Sequence, residues 1–153
     1  MSKKIRPISV EKFPDISTNC LGFAVGSLEN IEQSKKDYNL DETLPIGDAF
    51  ISWLEQHDFQ VPRQISSLDE AQPSEYVFKI IGFKTYNYRQ FGVNIPIYDF
   101  HVIRREPNGI WVHKNGWYCE PSIVSEEDWA NFEEDFGAEY ALFALDTSSD
   151  EER

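Results

Sequence analysis

The chain has 153 residues, 41% of them hydrophobic and 14% aromatic, a composition that predicts a globular domain and excludes a disordered chain. It carries 14 lysines and arginines against 27 aspartates and glutamates, which gives a formal charge of −13. Nucleic acid and anionic membrane surfaces are therefore poor ligands, because both need clustered cations. A basic protein partner fits this charge, and so does plain solubility.

The two ends of the chain predict its organisation. No apolar segment follows the basic stretch from Met1 to Pro7, so neither a signal peptide nor a membrane span is predicted. The expected location is the cytoplasm, with secretion by a route that reads no cleavable signal as the alternative. Residues 1–146 are expected to form a single domain, and residues 147–153 an acidic disordered tail.

Two helices are predicted in the N-terminal half. Residues 17–19 are all good N-cap residues, so a helix is expected from Cys20 to the early thirties. Gly22 and Gly26 are unusual inside a helix and are expected to allow close packing against a strand. After a polar loop, apolar residues at helical spacing predict a second helix from Ile46 to His57.

The C-terminal half is predicted to form strands around one helix. β-branched and aromatic residues predict the strands, and Asn-Gly predicts a tight antiparallel turn. A serine followed by acidic residues predicts the start of the third helix. The order of elements predicts an α+β fold with helices on a mainly antiparallel sheet. The expected strands cover residues 76–83, 95–105, 110–114 and 140–145, with a polar connection over 58–75, a loop over 86–92 and the helix over 125–135.

Cys20, His101 and His113 are the candidate catalytic residues. A nucleophilic cysteine needs a lowered pKa and a base within reach, and free N–H groups at a helix start favour both a thiolate and an oxyanion. His101 precedes Pro107 by six residues and His113 follows Asn108 by five, so one imidazole is placed to orient the other. The alternatives are a small buried cysteine with two unrelated histidines, and a zinc site that lacks a fourth ligand.

Two blocks of the chain resemble the NlpC/P60 cysteine peptidases, a papain-like group. Asn19-Cys20-Leu21-Gly22-Phe23-Ala24 is similar to that family's Asp-Cys-Ser-Gly-Phe-Val block, and His101-Val102-Ile103-Arg104 followed by His113 is similar to its histidine block. The resemblance implies a papain-like fold with a nucleophile helix packed on the sheet. It also implies amide hydrolysis through a thioester, with Cys20 as nucleophile, His101 as general base and His113 as the orienting third member. The implied substrate is a peptidoglycan stem peptide or a similar amide.

The chain departs from the family at Leu21, where serine is usual, and in the longer interval between Cys20 and His101. Because relatives include acyltransferases and inactive forms, an acyltransferase or deamidase effector stays open. So does a non-catalytic acidic binding protein of the immunity type with a basic protein partner. No metal or cofactor is expected. Tyr88 and Trp117 are expected to line the substrate cleft, and Cys119 to be structural.

Overall fold

The structure is a computed structural model that describes residues 3–28, 38–116, 119–136 and 139–146, with the backbone alone for 84–88, 90, 95–97 and 133–135. Its strands are β1 (Arg63–Ile65), β2 (Tyr76–Gln90), β3 (Val93–Arg105), β4 (Trp111–Lys114), β5 (Pro121–Ile123) and β6 (Tyr140–Leu145). The described α-helices are α1 (Cys20–Ala24), α2 (Ile46–Gln56) and α3 (Glu126–Asp135). None of these helices is long and apolar enough to cross a membrane.

The six strands form one sheet in the order β1–β6–β2–β3–β4–β5, and each of these pairings is antiparallel. The predicted α+β class with a mainly antiparallel sheet is therefore confirmed. Side chains alternate along β3, so Phe100, Val102 and Arg104 point to the side that α1 and α2 cover. His101 and Ile103 point to the opposite side, where α3 packs. We call these two sides the α1–α2 face and the α3 face.

Helix α2 lies where the apolar spacing predicted it, one residue shorter at its end. Its buried stripe includes Phe50, whose ring packs against Phe78 and Phe143 with centroids 6.2 and 5.0 Å away. Complete burial of one such ring stabilises the fold by about 1.5–3 kcal/mol, so this contact anchors the main core on the α1–α2 face. His57 takes the C-cap position, next to Trp53 with the ring centroids 4.7 Å apart.

Helix α1 has only five residues and ends sooner than predicted. At its start, the Asn19 side chain accepts a hydrogen bond from the Gly22 N–H at 3.0 Å. At its end, the N–H of Gly26 donates to the Phe23 carbonyl at 3.1 Å, and that of Ser27 to the Gly22 carbonyl at 2.9 Å. Gly26 has a φ of +75°, so the pattern is a Schellman stop, and the prediction of a longer continuous helix is wrong. The early thirties lie outside the described residues.

The two glycines of this segment make room for the N-terminal chain and not for a strand. A Cβ atom at Gly22 would lie 1.8 Å from the Thr18 hydroxyl oxygen. A Cβ atom at Gly26 would lie 1.9 Å from the backbone carbonyl oxygen of Arg6. The segment that leads into α1 therefore wraps against the helix itself, and small residues are needed at both positions.

Strands β2 and β3 form a much longer hairpin than predicted. β6 pairs with β2 only as far as Ile81, and β4 reaches β3 only at Arg104 and beyond. Residues 84–98 therefore extend past the rest of the sheet as a two-stranded segment, which we call the arm. Phe91 and Gly92 close it with φ values of +54° and +76°, as in a two-residue type I′ turn. The prediction of a loop here is wrong, because the aromatic stretch pairs with the following strand residue by residue.

The remaining elements divide into predicted and unpredicted ones. β6 has the predicted bounds, and α3 begins at a capping box in which Ser125 and Asp128 each accept from the other's backbone N–H, at 3.1 and 2.9 Å. β1 and β5, with three residues each, were not predicted and form the two edges of the sheet. The predicted tail lies outside the described residues.

Candidate active site

The β3–β4 hairpin brings the two histidines together, as the spacing from the turn predicted. His101 Nε2 and His113 Nδ1 are 2.8 Å apart, and the two rings meet edge-on at 82°. Arg104 pairs with Val112, so His113 lies diagonally across from His101 and not directly opposite. Both rings are buried against Phe132 of α3, which fixes their orientation.

Asp128 extends the histidine pair into a chain of three groups. Its carboxylate oxygen lies 3.3 Å from His113 Nε2, a charge contact without the alignment of a good hydrogen bond. Because a carboxylate only accepts, the proton of neutral His113 belongs on Nε2, and its Nδ1 becomes an acceptor. His101 must then donate from Nε2, which leaves His101 Nδ1 unprotonated. The order of contacts thus gives His101 Nδ1 the lone pair that a base would need.

Burial keeps both imidazoles neutral. It lowers the pKa of His101 to about 3, with a smaller contribution in the same direction from His113 and an opposing one from Asp128. Burial also lowers the pKa of His113, against the opposing charge of Asp128. Partial burial alone would raise the pKa of Asp128, but hydrogen bonds from Ser125 and the nearby His113 outweigh it and lower that pKa. The resting state is therefore a carboxylate facing two neutral rings.

The free energy of unfolding is expected to decrease as the pH is lowered, because His101 is buried in its neutral form. The unfolded chain binds a proton at this histidine near pH 6.5, whereas the folded protein does so only near pH 3. Between these values the unfolded state holds more protons, so the His101 contribution is complete above about pH 6.5 and is lost as the pH falls toward 3. At 1.36 kcal/mol per pKa unit the loss is on the order of a few kcal/mol.

The variant His101→Gln tests this pH dependence. Glutamine keeps a donor for His113 Nδ1 but has no proton to gain, so the free energy of unfolding is expected to be lower at neutral pH and to change less from about pH 7 to 5. Urea denaturation of both proteins at each pH gives the slope of the free energy of unfolding against pH for each protein. Equal slopes in the variant and the wild type would contradict a buried neutral His101.

Cys20 lies at the start of α1 and contacts the strand segment that carries His101. It is 6% exposed and belongs to the main core, together with Phe100 and Val102. The backbone N–H of Val102, the residue after His101, faces the thiol. The His101 ring points to the α3 face, with Phe136 stacked 5.6 Å away, centroid to centroid. In the described part of the chain, no hydrogen bond joins the thiol to either imidazole.

The thiol is a neutral group at rest. Burial raises the pKa of Cys20 to about 12, and the charge of Asp99 acts in the same direction. The backbone N–H groups of Val102, Leu21 and Cys20 itself oppose this rise. These three donors also form a site that favours negative charge on sulfur or on a nearby oxygen, once water or a substrate reaches it.

Two buried cations hold the ends of α1, and neither was predicted. The Arg104 guanidinium donates to the Phe23 and Ala24 carbonyls at 3.1 and 3.3 Å, at the helix C-terminus. The Lys114 ammonium donates to the Thr18 carbonyl at 2.6 Å, just before the helix. The sequence carried a signal for Arg104, since strand alternation puts it on the same face as two apolar residues of β3. The strands that carry the histidines thus also position the helix of Cys20.

A cleft of about 440 Å³ opens beside the segment that leads into α1. Lys114 lies in its wall, and burial lowers the pKa of this lysine against the opposing charge of Asp15. Cys20, His101 and His113 are not among the residues that line it. Its lining consists of Val10, Phe13, Pro14, Asp15, Ile16, Ser17, Lys114, Cys119, Glu120 and Pro121.

The predicted substrate-binding residues do not gather at this site in the described part of the structure. The backbone of Tyr88 pairs with Ile95 in the arm. That pair lies seven residues from the Cys20 contact at Val102, or about 20 Å along the strand. Trp117 lies outside the described residues. Cys119 is exposed and unpaired, whereas a structural role was predicted.

The described residues hold no group of three or more His, Cys, Asp and Glu side chains arranged to bind a metal ion. No protein-family model, no curated protein and no solved structure matches the chain. The NlpC/P60 assignment therefore rests on the two sequence blocks and stays a prediction. The geometry adds Asp128 to the two histidines and adds the two cations that hold α1.

Proposed function

We propose that the chain is a papain-like, cysteine-dependent amide hydrolase that acts through a thioester. The main supporting observation is the series of contacts from Asp128 through His113 to His101, which leaves His101 Nδ1 as a base. Cys20 contacts the strand segment that carries His101. A nucleophile, a base and a group that orients the base are the three parts of such a site. Cys20, His101 and His113 take these roles, with Asp128 behind them.

The residues act in two balanced steps. Cys20 Sγ attacks the carbonyl carbon of the amide while its proton moves to His101 Nδ1, and the resulting oxyanion accepts hydrogen bonds from backbone N–H groups at the start of α1. The imidazolium then gives this proton to the leaving amine, and a thioester remains. Water attacks the thioester carbonyl and gives a proton to His101, and the imidazolium returns this proton to the departing sulfur, so that the carboxylic acid and the free thiol are released with a neutral His101. His113 and Asp128 stabilise the imidazolium in both steps.

A conformational step must precede this chemistry. The resting thiol and imidazole are both neutral, and the ring of His101 is packed toward α3. Cys20 lies on the α1–α2 face of β3 and the His101 ring lies on the α3 face, so rotation of the ring alone cannot join the sulfur to Nδ1. The two atoms meet only after the backbone of β3 around His101 reorganises and brings the ring to the face of Cys20. Binding of the substrate would have to supply the energy for this reorganisation.

The substrate implied by the resemblance is a peptidoglycan stem peptide or a similar amide. Asp15 and Glu120 in the wall of the cleft favour a substrate that carries a positive charge. Peptide amides with a free amino group near the scissile bond are therefore the first class to assay.

The decisive experiment compares Cys20→Ala with a matched Cys119→Ser control. Hydrolysis of peptidoglycan fragments and of cationic peptide amides is followed by the release of new amines. Loss of the nucleophile is expected to lower the rate by at least about 10³-fold, with His101→Ala similar and Cys119→Ser close to wild type. An active Cys20→Ala variant, or a wild type that cleaves none of these amides, would overturn the proposed function.

A non-catalytic acidic protein that binds a basic partner is the second candidate. The neutral resting thiol, with its pKa of about 12, favours it. Alkylation separates the two candidates when it is done on the Cys119→Ser protein with a peptide-based electrophile. An enzyme should be modified at Cys20 faster by this reagent than by iodoacetamide, because binding opens the site. A binding protein should remain unmodified by both until it unfolds.

A further inference from the structure

The arm, residues 84–98, is a part of the sheet that the proposed catalytic site does not use. On one side β6 has already ended at its pairing with Ile81, and on the other side β4 begins only at Arg104. Both outer edges of the arm therefore present backbone N–H and C=O groups that no other strand in the described part of the chain pairs. Open edges of this length are places where a second chain binds.

The arm also exposes apolar side chains near its tip. Phe91 is 93% exposed and Val93 59%, and Tyr98 is 41% exposed nearer the base. An isolated two-stranded hairpin is marginally stable in water, because it has no covered face to bury such side chains. A surface that covers Phe91 and its neighbours would stabilise the arm.

The charge of the arm is opposite to that of the rest of the chain. It contains Lys84 and Arg89 and none of the 27 aspartates and glutamates, the first of which follows at Asp99. The body of the molecule therefore carries the whole excess of negative charge. An acidic surface with apolar positions is the complement of this arm, and the body of a second copy is such a surface.

We propose that the arm docks on the acidic body of a second copy of this chain, so that two copies exchange arms about a two-fold axis. This arrangement is closed, buries both arms and uses the same surface on each copy. The contact is assigned to arm and body because a contact between two arms would bring their four cations together.

Sedimentation velocity of the full chain from about 5 to 200 μM, in about 0.05 and 0.5 M NaCl, tests the proposal. The wild type is expected to form a dimer that weakens at the higher salt concentration. Phe91→Ser is expected to weaken the dimer at least about tenfold, because it removes an apolar side chain that is 93% exposed at the tip of the arm. The double variant Lys84→Glu with Arg89→Glu is expected to weaken it further and to remove the salt dependence.

Phe91→Leu is the matched control, since it keeps an apolar side chain at a tip position that is 93% exposed. This variant should dimerise as the wild type does, and circular dichroism verifies that every variant is folded. A wild type that remains monomeric at low salt, or arm variants that dimerise as tightly as the wild type, would overturn the proposal. So would rapid disulfide linkage of a Phe91→Cys variant in the Cys119→Ser background, because it would show two arm tips in contact.

Discussion

Gly26→Ala is expected to destabilise the protein by more than about 3 kcal/mol, enough to prevent folding at moderate temperature. The left-handed φ of +75° alone costs a non-glycine residue about 1–2 kcal/mol. The new Cβ atom would also lie 1.9 Å from the Arg6 carbonyl oxygen, and a backbone atom cannot rotate away as the end of a side chain can. The clash therefore adds to the conformational cost and pulls the N-terminal segment off α1.

Gly92→Ala is the matched control for this substitution. Gly92 has nearly the same φ, +76°, and apart from its chain neighbours no described atom lies within 4 Å of its Cβ position. It is expected to lose only about 1 kcal/mol, so the difference between the two variants measures the clash with Arg6. Urea denaturation at neutral pH gives both free energies of unfolding. Equal losses would show that Gly26 is needed for its backbone conformation alone.

Arg104→Met is expected to destabilise the protein by about 3–5 kcal/mol. The guanidinium is fully buried, and besides the two α1 carbonyls it donates to the Ile8 carbonyl at 2.6 Å and to Glu106 at 2.9 Å. It also stacks 4.6 Å from the centre of the Phe23 ring. Methionine fills much of the volume, so most of the loss comes from the carbonyls and the carboxylate that lose their donor.

Arg104→Lys and Arg105→Met complete this test by thermal and urea denaturation. Lysine keeps the charge, but its compact ammonium cannot spread over the same set of acceptors, so a loss of about 1–3 kcal/mol is expected. Arg105 is the next residue of β3 and points to the other face, so Arg105→Met should stay within about 0.5 kcal/mol of the wild type. A small effect of Arg104→Met would contradict its role at the end of α1.

Local signals in the sequence were sufficient for α2, α3 and β6. The apolar repeat from Ile46 places α2, and the capping box of Ser125 and Asp128 places α3, because each depends on residues three or four apart. β1 and β5 were not predicted, for the opposite reason. Each is a three-residue edge strand that exists only because a distant strand pairs with it, and no short window of sequence records that partner.

The arm was missed because its turn lacks the usual sequence. Phe91 takes a φ of +54°, which favours asparagine or glycine, so the Phe-Gly pair gave no signal of a type I′ turn. The end of α1 was recorded in the sequence by Gly26, but glycine at that position is read as a stop only when the Schellman bonds are known.

The candidate site could be predicted in part. The distances of His101 and His113 from the Asn-Gly turn were sufficient to pair the rings, because the geometry of a hairpin is local. Asp128 could not be found in this way, because its capping role in α3 already accounts for the carboxylate. The high pKa of Cys20 also depends on how completely the core covers the thiol, which composition and spacing do not report.

The β3–β4 hairpin restricts which insertions and deletions can occur between its two strands. His101 and Arg104 are three positions apart and His113 and Lys114 are adjacent, so each strand sends one ring to the α3 face and one cation to the α1–α2 face. If β4 slipped by one residue, the lysine would be buried among the aromatic rings of α3, and the imidazole would lie where the helix needs a cation. Insertions or deletions between the two strands that shift β4 should therefore be tolerated only when they preserve this alternation, and single-residue ones should be selected against.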